Sequence, residues 1–194
     1  FENYLEANGM GNGIANDDYV TTANINSVTM LGLNGINSVG ISNISDLTGI
    51  EGFAALEDFS IIFTQITTLD LSANTALTYI NCTGNQLISL DVSGCVALTM
   101  LSCDQNQLTS LDVSQNTALT YFECANNQLI SLDLRNGNNT NLSSFNAEVN
   151  FTLFCIDVDD PTWSAANWTN IDSWTSFSTN CSAALGCTDS MAIN

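Results

Sequence analysis

Three consecutive stretches of the chain are near copies of one another: LTYINCTGNQLISLDVSGCVA (residues 77–97), LTMLSCDQNQLTSLDVSQNTA (98–118) and LTYFECANNQLISLDLRNGNN (119–139). The leucine that opens each copy recurs every 21 residues, and so do a cysteine and an asparagine inside it. A fixed period of this size is typical of a stacked array, in which each repeat buries its apolar side only against its neighbours. The sequence therefore predicts a β-rich solenoid with a period of about 21 residues.

Each copy contains two short alternations of apolar and polar residues. In the first copy, Ile80 and Cys82 alternate with Tyr79 and Asn81, which predicts a strand with one buried and one open face. A second alternation, in residues 87–92, predicts another extended segment on the opposite side of the coil. Asparagine-rich corners separate the two segments, and neither is long enough for a full helix.

Fainter copies of this pattern extend the array in both directions, which divides the chain into four segments. We predict an N-terminal cap with a short amphipathic helix in residues 1–27 and a repeat array in residues 28–154. Residues 155–182 are expected to form a C-terminal cap, and residues 183–194 lie beyond it. Capping segments are expected because the terminal coils of a solenoid otherwise expose their core.

The charge of the chain limits its partners. It carries 20 acidic residues against one basic residue, Arg135, and its formal net charge is −19. Such a surface repels phosphate backbones and anionic lipid, so we expect neither nucleic acid nor membranes as partners. Cations, basic surfaces and neutral glycans remain, and the charge also favours solubility in salty water. No apolar run is long enough to span a bilayer, so we expect no membrane insertion.

The lack of histidine and lysine limits the chemistry that is available. Without them the chain has no imidazole base near neutral pH and no amine for a Schiff base. No pair of acidic residues stands out as a candidate for glycoside hydrolysis. We therefore expect a protein that is not an enzyme.

The repeat template, LxxLxCxxNQL, is that of a leucine-rich repeat. More narrowly, the chain resembles the repeat region of secreted surface proteins from Bacteroidetes, and TGIE (residues 48–51) resembles the first unit of internalin-like repeats. The resemblance implies a secreted or cell-surface location, export by the type IX route and further modules in the same protein. GCTDSMAIN (residues 186–194) resembles the start of such a module, which implies that residues 183–194 begin an acidic module bounded by cysteines that is truncated here. Its Asp-Ser-Met resembles an O-glycosylation sequence with Ser190 as acceptor.

Several further features have predicted structural roles. The asparagine ladder is expected to satisfy backbone groups at the corners, and the cysteine ladder to pack as reduced thiols in the core. A ladder of aspartates is expected to cap turns, with bound cations as the alternative. The ladders are Asn85, Asn106 and Asn127; Cys82, Cys103 and Cys124; and Asp70, Asp91, Asp112 and Asp133.

The predicted C-terminal cap has its own features. Cys155 and Cys181 bracket an aromatic segment, and we predict a disulfide between them, which implies an oxidising environment. Asp157, Asp159 and Asp160 form an oxygen-rich cluster that could bind Ca²⁺, although their spacing matches no defined calcium loop. No other cofactor is expected.

The open face of the strands carries the strongest functional signal. Curved stacks commonly bind ligands on this concave face, and a stripe of two tyrosines and a methionine offers an amphipathic contact. We therefore predict a recognition or adhesion module for an extracellular protein or glycan. The predicted face consists of Tyr79, Asn81, Thr83, Met100, Ser102, Asp104, Tyr121, Glu123 and Ala125. The alternatives are a structural spacer within a larger surface protein and an ice-binding solenoid that uses the ladder Thr78, Thr99 and Thr120.

Overall fold

The structure is a computed structural model that describes residues 1–14, 22–36 and 41–185. It begins with a helix, α1 (Glu2–Ala7), which buries Leu5 against the first coil. A second short helix, α2 (Thr22–Ile25), precedes the first strand, β1 (Met30–Asn34). The expected N-terminal helix is thus present and covers the apolar end of the stack. The predicted segment boundaries remain predictions.

One side of the molecule is a parallel sheet of six strands that come from successive coils. Its hydrogen bonds join coils in step with the repeat, so that Tyr79 is paired with Met100 and Met100 with Tyr121. This register confirms the solenoid that the sequence predicts. In order across the sheet the strands are β1, β2 (Asp58–Ile62), β4 (Tyr79–Asn81), β6 (Met100–Ser102), β8 (Tyr121–Glu123) and β10 (Ser144–Asn146).

On the opposite side of the molecule, most of the described coils carry a second strand, which is three residues long. Two of these form a two-stranded parallel sheet and four more form a four-stranded sheet. They are β3 (Thr68–Asp70) with β5 (Ser89–Asp91), and β7 (Ser110–Asp112), β9 (Ser131–Asp133), β11 (Cys155–Asp157) and β12 (Ser176–Ser178). Short 3₁₀ turns lie between strands at Ile41–Asn43, Ile50–Gly52 and Asn139–Asn141.

The core lies between these two sides and runs along the stack. Equivalent apolar side chains of neighbouring coils pack in rows, as shown by Leu77 and Leu98, which are fully buried. Cys82, Cys103 and Cys124 are also fully buried and unbridged, so the predicted ladder of reduced core thiols is confirmed. The thiol of Cys82 approaches the carbonyl oxygen of Ser102 at 3.5 Å, in the next coil.

The asparagine ladder connects the coils through their backbones. Asn106 donates from Nδ2 to the carbonyl of Cys82, in the preceding coil, and to the carbonyls of Cys103 and Asp104 in its own. Its Oδ1 accepts the backbone N–H of Leu87 at 3.0 Å. Asn85 and Asn127 make equivalent bonds, which confirms the expected structural role.

A second corner ladder lies on the opposite side of the coil and contains an exception. Asn116 donates from Nδ2 to the carbonyls of Val92 and Cys95, each at 2.9 Å. Cys95 occupies the equivalent corner of the previous coil, where its thiol approaches the carbonyl of Leu71 at 3.3 Å. Cys95 is unpaired as expected, but it replaces the asparagine as a weaker donor to the same kind of carbonyl.

A residue with positive φ recurs just after β2, β4, β6, β8 and β10 of the six-stranded sheet. Gly84 adopts this conformation without strain, but the equivalent positions hold Phe63 (φ 53°), Gln105 (φ 56°), Asn126 (φ 54°) and Val149 (φ 60°). Residues with a β-carbon, above all β-branched ones, adopt this region at a cost. The stacked neighbours therefore impose the turn, and residue preference does not.

The C-terminal cap closes the other end of the array. Helix α3 (Pro161–Asn167) has Asp160 as its N-cap residue. Just after the helix, the ring of Trp168 packs against the ring of Phe145, with 4.7 Å between the ring centroids. A disulfide joins Cys155 in β11 to Cys181 at the start of α4 (Cys181–Leu185). The predicted disulfide is confirmed. Among the described residues no helix is long and apolar enough to cross a membrane.

Candidate functional site

The register of the six-stranded sheet assembles the predicted recognition residues on one surface. Tyr79, Met100 and Tyr121 lie directly beside one another on adjacent strands, and so do Asn81, Ser102 and Glu123. Adjacent strands are about 4.8 Å apart, so the first column forms a continuous stripe. We call the outward side of β4, β6 and β8, with the turn residues Thr83 and Asp104, the strand face.

The side chains of the strand face are accessible in part. Met100 is 36 % exposed, and Tyr79 and Tyr121 are half-buried. Ala125 is different, since it is only 5 % exposed. The expectation that Ala125 belongs to the accessible surface is therefore wrong. The backbone N–H of Ala125 donates to the carboxylate of Asp104, in the preceding coil.

Hydrogen bonds hold the polar groups of the strand face in position. The hydroxyl group of Tyr121 donates to the Glu123 carboxylate, two residues along the same strand. On β4, the side-chain amide nitrogen of Asn81 lies 3.4 Å from the hydroxyl oxygen of Tyr79, a residue pair equivalent to Glu123 and Tyr121 on β8. The hydrogen bond to Glu123 raises the pKa of Tyr121 to about 12, so this hydroxyl stays protonated.

Asp104 is the most perturbed carboxyl group on this face. Its Oδ1 accepts the backbone N–H of Ala125 at 2.8 Å. Partial burial raises the pKa of Asp104 to about 6, repulsion by Glu123 adds to the rise, and the N–H of Ala125 opposes it. The strand face thus holds two neighbouring carboxyl groups without a cation between them in the protein itself.

The threonine ladder at the start of each strand is used within the protein. The hydroxyls of Thr78, Thr99 and Thr120 donate to the carbonyls of Glu57, Thr78 and Thr99, at 3.1, 2.9 and 3.2 Å. Each bond joins one coil to the preceding one. Because the hydroxyl protons are committed to the backbone, an outside ligand meets only their lone pairs.

The aspartate ladder lies on the opposite side of the molecule. Each carboxylate accepts the backbone N–H two residues ahead, and Asp70, for example, also accepts the hydroxyl of Ser72. These bonds lower the pKa of Asp70. The turn-capping role is confirmed for Asp70, Asp91, Asp112 and Asp133.

The aspartates of the C-terminal cap also serve the backbone. Asp160 caps α3 by accepting the N–H groups of Thr162 and Trp163. Asp157 accepts the N–H of Cys181, and Arg135 approaches it at 4.0 Å. Within residues 1–14, 22–36 and 41–185, no three cysteine or acidic side chains converge as a metal ion requires. Asp157, Asp159 and Asp160 therefore do not form a cluster of three converging carboxylates, and Ca²⁺ binding at this cap stays a prediction.

The predicted O-glycosylation acceptor, Ser190, lies outside the described residues. Two features of the face were missed by sequence reasoning. The first is the contact between Asp104 and Glu123, and the second is the bond from Ala125 to Asp104. The positions of acidic residues in neighbouring copies were visible in the sequence, but the direction of the turn between them was not.

A comparison with solved structures finds proteins with a similar fold. The functional domain of InlJ from Listeria monocytogenes, which includes a cysteine ladder, is 38 % identical over 72 % of this chain, with a TM-score of 0.59. The fold is an internalin-like leucine-rich-repeat solenoid. The present chain spans only 32 % of that InlJ chain. The three aligned core thiols described above make a cysteine ladder in this chain as well.

Other comparisons add less. An internalin, InlF, from Listeria monocytogenes is 20 % identical over 82 % of this chain and 62 % of its own, with a TM-score of 0.43, too low for a structural comparison. No protein-family model and no curated protein matches the chain. The likeness to InlJ supports the internalin-like part of the expected resemblance. The Bacteroidetes origin and the type IX export route stay predictions.

Proposed function

We propose that this chain is a non-catalytic recognition or adhesion module of a secreted or cell-surface protein. Its strand face would bind an extracellular protein or glycan. The observation that carries the proposal is the in-register stripe of Tyr79, Met100 and Tyr121, placed beside polar groups held by hydrogen bonds. Tyrosine and methionine are enriched where proteins contact partners, because each offers a large adaptable surface.

Two further observations support this function. The internalin-like fold presents a broad open sheet, and stacked repeats commonly use such a surface for binding. The disulfide between Cys155 and Cys181 fits an oxidising location outside the cytoplasm. Further modules of the same larger protein remain possible partners under this proposal.

The test is a binding screen with a matched variant. The chain is labelled and applied to arrays of glycans and extracellular proteins, beside the double variant Tyr79→Ala/Tyr121→Ala. Circular dichroism and thermal melting establish that the variant is folded. Ligands that are captured by the native chain and lost by the variant support the proposal. Capture that is unchanged by the double substitution refutes a role for the strand face.

A structural spacer is the second candidate, and one observation favours it. Each coil is tied to the next by asparagine, threonine and backbone hydrogen bonds in step with the repeat, which suits a stiff rod. If the chain is only a spacer, no ligand on the arrays should lose binding when the tyrosines of the strand face are replaced. Measuring thermal hysteresis decides the ice-binding alternative, and the hydrogen bonds that the threonine hydroxyls donate to the backbone argue against it.

A further inference from the structure

The strand face combines aromatic surface with carboxylates that have no cationic partner in the protein. Glu123 lies on β8 next to the stripe of Tyr79, Met100 and Tyr121, and Asp104 lies in the turn just after the adjacent strand β6. Neighbouring residues on one side of a strand are about 7 Å apart, so Glu123 lies one step from the row of rings and Asp104 lies two steps away, within reach of one extended peptide segment. Asp58, also half-buried, extends the acidic surface beside Tyr79.

The chain cannot supply a basic side chain to this face. Its single basic residue, Arg135, lies near the opposite side. There it forms an ion pair with Asp133, donates to the carbonyl of Thr179 at 3.2 Å and lies 4.0 Å from Asp157. Any basic side chain that neutralises the Asp104 and Glu123 pair must therefore come from a partner.

We infer that the strand face binds a polypeptide segment rich in lysine or arginine, with a cationic side chain held between the tyrosine rings and the Asp104 and Glu123 carboxylates. This inference rests on the proposed function and narrows the class of partner. Ammonium and guanidinium groups are attracted both to aromatic ring faces and to carboxylates, so one side chain satisfies both features. A neutral glycan would use the rings but would leave the carboxyl groups in mutual repulsion.

The test must separate a specific contact from the general attraction of a chain with a net charge of −19. The probe is a fluorescent ten-residue peptide of alternating lysine and serine, and the same peptide with acetylated lysines is its neutral control. Binding is measured by fluorescence anisotropy in about 0.15 M salt, where the Debye length is about 8 Å and distant charges are screened.

Three matched variants of the full chain locate the contact. Asp104→Asn/Glu123→Gln removes two carboxylates from the strand face. Asp91→Asn/Asp112→Asn removes two from the opposite side and keeps an oxygen for each turn bond. The third variant, Tyr79→Ala/Tyr121→Ala, leaves the net charge unchanged.

We expect the strand-face acidic variant to weaken lysine-peptide binding at least about fivefold more than the opposite-side variant, because its carboxylates contact the peptide directly. The tyrosine variant should weaken it as well, and the acetylated peptide should not bind.

Equal losses in the two acidic variants, or no binding of the lysine peptide, would overturn the inference. If the glycan array then shows a neutral ligand that depends on Tyr79 and Tyr121, the proposed function survives without the cationic partner. If neither probe depends on the strand face, both fail.

Discussion

Replacing Asn106 by alanine tests the claim that corner asparagines hold successive coils together. Asn106 is 7 % exposed, and its Oδ1 accepts the buried N–H of Leu87 at 3.0 Å. Its Nδ2 donates at 3.0 to 3.1 Å to the carbonyls of Cys82, Cys103 and Asp104. Alanine removes all of these bonds and cannot replace any of them.

The magnitude follows from what each partner keeps. The carbonyls of Cys82 and Cys103 retain a bond from Asn85 and Asn127, so each is only partly deprived. The backbone N–H of Leu87 loses its acceptor, the Oδ1 atom of Asn106. An orphaned buried donor costs about 1–3 kcal/mol and a lost hydrogen bond about 1 kcal/mol. We therefore expect Asn106→Ala to lower the free energy of unfolding by about 3 kcal/mol.

Equilibrium urea denaturation, followed by circular dichroism, measures this change. The control is Gln107→Ala, since Gln107 is the exposed neighbour in the same turn and its loss should stay within about 0.5 kcal/mol. For a chain of this size, about 3 kcal/mol corresponds to a fall in Tm of roughly 6–12 °C. If Asn106→Ala costs no more than Gln107→Ala, the asparagine ladder does not stabilise the stack as we have argued.

Three other outcomes are expected. Replacing both Cys155 and Cys181 by serine should cost about 3.5 kcal/mol in the chain-entropy model, and unchanged thermal melting would contradict this. Because the pKa of Asp104 is raised, its protonated form favours the fold below about pH 4, and that contribution is lost as pH rises through about 6. Asp104→Asn should therefore stabilise the protein by about 1–2 kcal/mol at pH 8, and the gain should disappear near pH 4 in urea titrations. Burial raises the pKa of Cys82 to about 12. Cys82 and the equally buried Cys103 should therefore resist alkylation by iodoacetamide at pH 8 until urea unfolds the chain. Peptide mass spectrometry measures the alkylation, and labelling of the folded chain would contradict this expectation.

The repeat made much of the structure predictable. Since a 21-residue period places each residue type in one row, the inward positions of Leu77 and Cys82 followed from alternation alone. The disulfide between Cys155 and Cys181 followed from two cysteines that bracket an aromatic segment. In these cases the local pattern and the long-range contact depend on the same periodicity.

Other features depended on turn geometry. Ala125 occupies the same slot as Thr83 and Asp104, yet it is buried, and its N–H is bonded to the carboxylate of Asp104 in the preceding coil. Asp160 follows two other acidic residues, but it caps a helix and does not join a metal cluster. Alternation specifies which face a residue occupies, whereas the acceptor it meets depends on the adjacent coil.

The amino-acid sequence by itself determined the coil: its length, its inward rows and its acidic surface, because these follow from period, hydrophobic pattern and composition. Only the tertiary structure decided how Asp104 meets Glu123 and why Val149 adopts a positive φ. Both features arise where one coil packs against the next. The free energy of that packing outweighs the conformational preference of the single residue.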